Sequence, residues 1–180
     1  MFFALYALLI FCFKKIFIKE KVFKKLKGMD VLIVVASYLF IYFIKMIYSV
    51  LSTYLYKNAT TANDAALNKM LGTGGATTFM MITMIAFLAP LCEELLFRGM
   101  FFEKFFKGRI WQPILVSGLL FGCVHISSNL VSFLLYFIMG LVFGWVYHKT
   151  KNLSASLLLH IVNNIPVLLA MLLAPSMFNS

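Results

Sequence analysis

Between residues 31 and 56 the only charge is Lys45, and further long apolar runs follow at 76–102, 112–128, 129–148 and 153–177. A helix crosses the hydrocarbon of a bilayer, about 30 Å thick, with about 20 mostly apolar residues, and its backbone groups are then satisfied internally. The runs therefore predict an all-α fold, a polytopic integral membrane helix bundle. The chain is 63% hydrophobic and 12% charged. Soluble domains are nearer half and a quarter, so an ordinary soluble fold is excluded.

A sixth apolar segment is less regular. Residues 1–13 are apolar, but Lys14 and Lys15 interrupt them. The segment either continues through Ile16, Phe17 and Ile18 with the lysines snorkelling, or stays a partial, interfacial helix. With it the count is about six transmembrane spans. The seven lysines between residues 14 and 29 read as a loop that sets topology, an amphipathic surface helix being the alternative. Residues 57–75 are polar and read as a second loop.

Basic residues crowd the first, third and fifth loops. The second holds Lys57 and Lys69 against Asp64, and the fourth has no charge. The positive-inside rule then places the odd loops in the cytoplasm and both termini outside. The net charge of +10 belongs to these loops, so no nucleic acid partner is implied. Gly118/Gly122 and Gly140/Gly144 each put two glycines on one helix face, which predicts close packing of the fourth and fifth spans against other helices. Cys12, Cys92 and Cys123 lie in apolar runs without metal spacing and read as small buried residues.

Two of the six acidic residues in the chain are adjacent, Glu93 and Glu94, near the end of the third apolar run. A charge at the centre of a bilayer costs roughly 2.5–3.5 kcal/mol even on lenient scales, so intramembrane carboxylates mark functional sites by default. Glu94 and Arg98 are four apart and share a helix face. Glu93 points about 100° away and has no partner in its own helix. Pro90, three residues earlier, removes a backbone hydrogen bond and can kink the helix there.

The groups able to meet the glutamates are few. The fourth run carries His125, on the face of Phe121, and the sixth carries His160 and Asn164, also four apart and on one face. Asn163 points elsewhere on that helix. Pro166 frees the Val162 carbonyl, and His148 reads as interfacial. Each residue alone has an ordinary explanation: a helix–helix hydrogen bond, an interhelical amide, an anchoring arginine. Together they come from three helices, and polar groups in hydrocarbon must find partners. The economical arrangement is one polar cavity.

Such a cluster suits water activation. A carboxylate in apolar surroundings can act as general base, an imidazole can hold the water or protonate a leaving amine, and an amide or second imidazole can donate to an oxyanion. The same inventory could bind a divalent metal through Glu and His, although no HExxH pair is present. Counting about 1.5 Å per residue, Glu93 and His160 lie roughly 10 Å inside the cytoplasmic end of their spans and His125 near 20 Å. The fourth helix must therefore begin deeper or tilt.

In order along successive apolar runs, Glu93-Glu94-Leu95-Leu96-Phe97-Arg98 gives EExxxR, Phe121 to His125 gives FxxxH, and His160 to Asn164 gives HxxxN. Over about residues 76–170 the chain resembles the CPBP family of intramembrane proteases, also called CAAX protease and bacteriocin-processing, or Abi. The resemblance implies a four-helix catalytic core, with 1–75 as accessory N-terminal segments and 76–177 as the catalytic bundle. It implies a glutamate-dependent intramembrane endopeptidase in which Glu93 activates water with His125 as partner. Glu94 and Arg98 fall on supporting positions of the first motif, and His160 with Asn164 on the pair that polarises the scissile carbonyl. Were a metal such as zinc present, Glu93, His125 and His160 would be its ligands. The implied substrate is a hydrophobic, lipidated or membrane-embedded peptide or protein in a bacterial cell membrane, in peptide maturation or bacteriocin self-immunity. The competing readings are a non-catalytic membrane immunity or scaffold protein, and a proton- or ion-coupled transporter, against which the lack of inverted repeats counts.

Overall fold

The computed structural model describes residues 23–71, 75–106 and 108–178. The segment at 1–13, Cys12 and most of the first lysine loop lie outside the described residues. Among those residues the chain is helical without strands: α1 (Gly28–Tyr56), α2 (Ala62–Leu71), α3 (75–105), α4 (Trp111–Val124), α5 (Leu130–Thr150) and α6 (Leu153–Leu173), closed by a short 3₁₀ turn, Pro175–Phe178. Four of these helices are long and apolar enough to cross a membrane, Gly28–Tyr56, Gly75–Phe102, Leu130–Thr150 and Leu153–Leu173. The chain is an integral membrane protein built as an all-α bundle.

Local chemistry fixes the helix ends. Asn129 caps α5, its Oδ1 accepting from the Ser132 N–H at 2.9 Å while its own N–H donates to Ser132 Oγ at 3.3 Å, a reciprocal capping box. Asn152 caps α6 by accepting from the Ser154 N–H at 3.0 Å. Helices α1 and α5 each stop at a lysine in the left-handed region, Lys57 (φ 57°) and Lys151 (φ 48°). Asn152 also accepts from the Lys24 N–H at 3.1 Å, and Lys24 Nζ donates to the Lys151 carbonyl at 2.7 Å. The first and fifth loops thus meet at one end of the bundle. At the other end Thr60 Oγ1 donates to the Met177 carbonyl, and Thr61 Oγ1 bonds the Tyr136 hydroxyl at 2.8 Å.

Helix α5 is the most buried of the long helices and α1 the least; the outer face of α1 exposes Leu32, Val35, Leu39, Phe43 and Val50, a surface suited to lipid. The close packing that the glycine spacing predicted is between α4 and α5 themselves, which meet along both pairs. A Cβ on Gly140 would lie 2.8 Å from Phe121 Cβ and 2.9 Å from Gly118 Cα, and one on Gly118 would lie 2.7 Å from Leu141 Cδ2.

Two expectations change. Residues 57–75 are not simply a loop, because they contain α2. The expected span at 112–128 is a helix of 14 residues, about 21 Å at 1.5 Å per residue, short of a full crossing. It ends before His125, whose backbone is extended (φ −87°, ψ 136°), so His125 stands at the mouth of a turn rather than within a span.

Candidate active site

The wall of α3 positions the acidic pair. Ahead of Pro90 the helix widens: Met84–Leu88 is π-helical, and the Ala89 N–H reaches back five residues to the Met84 carbonyl. The next bond in that register would run from Pro90 to Ile85, and Pro90 has no N–H to give. Asn164 supplies the donor instead, its Nδ2 lying 3.1 Å from the Ile85 carbonyl. A second π stretch, Leu95–Phe105, begins immediately after Glu94. Such widened turns are uncommon and concentrate at functional sites; here they bracket the glutamates.

Glu94 and Arg98 are fully buried and paired, Nη1 to Oε1 at 3.0 Å. Arg98 Nη2 donates to the Gly140 carbonyl at 2.8 Å, and its guanidinium carbon lies 5.7, 5.5 and 5.4 Å from the rings of Phe97, Phe121 and Phe143. A buried ion pair holds when good geometry and added hydrogen bonds offset desolvation, and here aromatic faces contribute as well.

His160 joins this knot from α6. Its Nδ1 is 3.1 Å from Glu94 Oε1. An ionised carboxylate only accepts, so Nδ1 carries the proton. Nε2 then faces Glu93, 3.9 Å from Oε2. The ring stacks on Phe143 at 4.6 Å and meets Phe121 edge-on at 5.5 Å. Glu93 Oε2 has no hydrogen-bond partner among the described residues, and the side chain is 25% exposed, opening on a cavity of about 630 Å³.

His125 lines the same cavity from the end of α4. Its Nδ1 is 2.7 Å from the Phe121 carbonyl, which only accepts, so Nε2 keeps the lone pair. The ring is held between Phe121, at 4.4 Å, and Tyr136, at 4.3 Å. Phe121 therefore touches both imidazoles, which answers the depth mismatch: one cavity spans both levels, and α4 is short.

Glu93, Phe121, His125, His160 and Asn164 all line the cavity, with Glu94 and Arg98 sealed behind it. The pairings differ from expectation: His160 is shared between the glutamates, and Asn164 is engaged by Ile85. The possible ligand set Glu93, His125 and His160 does not converge. Among the described residues no three His, Cys, Asp or Glu side chains are grouped to hold a metal ion. The residues in this arrangement do not fit a zinc centre.

Sequence reasoning missed part of the cavity wall. Asn163, expected to point elsewhere, is buried and lines the cavity, as do Lys45 and Asp64. The signals were the lone charge in the second run and an acid in a polar loop. Asp64 lies on α2, outside the spanning helices; burial pushes its carboxyl above the ordinary range, while the Thr61 hydroxyl and the Lys45 charge pull it down.

The fold and site together define a polytopic membrane bundle that encloses a cavity lined by a glutamate and two histidines. A family model described as type II CAAX prenyl endopeptidase Rce1-like matches residues 75–166, and the chain belongs to that family. It is similar to UPF0177 protein YvdC of Lactococcus lactis, 26% identical over 132 residues, 73% of this chain and 49% of that protein. It is similar to the putative membrane peptidase YdiL of Bacillus subtilis, 31% identical over 86 residues, 47% of this chain and 34% of the relative. With the membrane-embedded CAAX protease MroQ of Staphylococcus aureus it shares 33% identity over 103 residues, 53% of this chain and 41% of the relative. The chain thus spans between about a third and a half of the length of these relatives. No solved structure matches it significantly.

Proposed function

We propose that the chain is an intramembrane endopeptidase that hydrolyses a peptide bond with water activated by Glu93. The observation that carries this reading is the division of labour at His160: Nδ1 is held by Glu94, while Nε2 stands 3.9 Å from Glu93 Oε2 at the cavity wall. Glu93 takes a proton from water, and the hydroxide adds to the scissile carbonyl carbon. The tetrahedral intermediate then breaks its C–N bond, and the proton passes to the leaving amine, directly from Glu93 or through His160 Nε2. His125, with its Nε2 lone pair free of the Phe121 carbonyl, is a second acceptor for the water.

Glu94 and Arg98 act by holding His160. Asn164 holds the Pro90 break that aims Glu93 into the cavity; to donate to an oxyanion it would have to release Ile85. The cavity's apolar walls suit a hydrophobic, lipidated or membrane-embedded peptide. The reacting residues lie between 76 and 177, while α1 and α2 from the segment expected to be accessory complete the cavity wall, and peptide maturation and self-immunity are the roles that fit such an activity.

The test is cleavage of a quenched-fluorescent apolar peptide by the full chain in proteoliposomes, compared with Glu93→Gln. Undiminished cleavage by the variant would sink the mechanism. A strong chelator in parallel tests metal dependence, and loss of cleavage there would assign the water activation differently. A stable, correctly inserted protein without cleavage would favour the non-catalytic scaffold.

A further inference from the structure

A second polar group lies in the cavity wall, three residues along α6 from His160. Lys45 Nζ is 3.4 Å from the main-chain carbonyl of Asn163, and Asn163 is 3% exposed. A relay fixes the orientation of that carboxamide. The Ile85 carbonyl only accepts, so the Asn164 atom facing it is Nδ2. Asn164 therefore presents Oδ1 to its neighbour, and Asn163 answers with Nδ2 at 3.3 Å. Asn163 Oδ1 is the atom left over, buried and without a hydrogen-bond partner among the described residues. A buried acceptor is costly when nothing meets it. The same cavity is also lined by Met81, Met84 and Met139. Asp64 lines the same cavity, and beside Asn163 the wall offers a donor and an acceptor.

We propose that Lys45 and Asn163 form a subsite for one peptide unit of the substrate. The ammonium donates to a backbone carbonyl, and Asn163 Oδ1 accepts from a backbone N–H. The subsite rests on the reading of Glu93 as the reacting end. The three residues from His160 to Asn163 correspond to a rise of about 4.5 Å, and an extended chain advances about 3.3 Å per residue. The gripped unit is thus one or two residues from the bond presented to Glu93. A neutral amide matches a donor beside an acceptor; a terminal carboxylate would gain from Lys45 but meet Asp64 and an unmatched oxygen.

The experiment measures binding, so it does not depend on cleavage. The full chain carrying Glu93→Gln is placed in nanodiscs with a fluorescent, N-acetylated, C-amidated apolar pentapeptide, and with analogues in which one amide at a time becomes an ester. One ester position should weaken binding about 5–10-fold, and the same ester should cost less than about 2-fold once Lys45→Met or Asn163→Leu is added. The comparison is made within each variant, so altered stability does not mimic it. Should Asn163→Leu fail to fold, Lys45→Met carries the test alone. No binding, indifference to esters at every position, or equal sensitivity in the variants overturns the subsite. So does a free-acid peptide that binds more than about tenfold tighter and loses the gain in Lys45→Met, which would mean a carboxylate site. Cleavage by Glu93→Gln would remove the proposed mechanism while leaving this binding result standing.

Discussion

On the α5 side of the α3 wall, Glu94 touches Arg98 and His160 and is fully buried, and Arg98 is closed off by the Gly140 carbonyl and three phenylalanine rings. On the other side, one residue earlier, Glu93 looks into a cavity of about 630 Å³ whose walls come from α1, α2, α3, α5 and α6 and the end of α4. The same side-chain chemistry does different work because successive residues on a helix point about 100° apart. In the proposed mechanism the sealed side fixes a charge so that the open side can move a proton. If that contrast is real, substitutions on the two sides should fail in different ways.

The largest effect is expected at Glu93. Glu93→Gln keeps the shape but removes the base, and cleavage should fall by roughly 10²- to 10⁴-fold with an unchanged thermal midpoint in detergent. Loss of folding together with loss of activity would mean that Glu93 belongs with Glu94 after all. Arg98→Met should do the reverse. It strands a buried carboxylate, which costs about 3–5 kcal/mol, and should appear as a collapsed thermal midpoint and low yield. Arg98→Lys should rescue little, because an ammonium cannot form both the Glu94 and Gly140 bonds in one plane while stacking on rings.

The packing beneath the knot predicts a smaller effect. Gly140→Ala forces a Cβ to 2.9 Å from Gly118 Cα and should cost about 1–3 kcal/mol. Gly144→Ala meets nothing closer than 3.4 Å and should change the thermal midpoint much less. Equal shifts would show that the α4–α5 contact is not limited by the close approach of Gly140 to Gly118. Asn164→Leu should cost about 1–3 kcal/mol by orphaning the Ile85 carbonyl. Pro90→Ala restores an N–H, so the double variant should lose less than the sum of the two single changes. Strict additivity in chemical denaturation would disprove the bond-replacement role.

Much of this arrangement was legible in the sequence. Runs of about 20 apolar residues specify spanning helices, and the four-residue spacing of Glu94 and Arg98 leads to their pairing. The glycine pairs foretold close packing of both helices, though not that each is the other's partner. What stayed hidden depends on geometry between elements. His160 was matched with Asn164 because they share a face, yet each met a different part of α3. Helical spacing says what points together, not what it points at. The π segments around Glu93 and Glu94 carry no period that apolar residues would register. Asn163 was set aside by the same rule, since a wide cavity admits residues 100° apart on its wall. Lys45 was visible as a charge, but its partner is a backbone carbonyl, which has no sequence signal.

The smallest expected effect tests whether α2 belongs to the open side. Asp64 on α2 lines the same cavity as Glu93, and burial raises its carboxyl above the ordinary range against the pull of Thr61, Lys45 and His125. A raised folded-state value means that the folded protein holds the proton more tightly than the unfolded chain does. Asp64 then contributes stability that is fully present below the unfolded value, about 4, and is lost as pH rises through the folded value. The thermal midpoint should therefore drift down as pH climbs above about 4, and Asp64→Asn, which cannot ionise, should flatten that drift. An opposite slope, with stability gained as pH rises and removed by Asp64→Asn, would mean that the Lys45 charge outweighs burial. The two ends of the cavity would then both be governed by ion pairing, and the contrast between a sealed, charge-balanced side and an open, apolar one would have to be redrawn around Lys45.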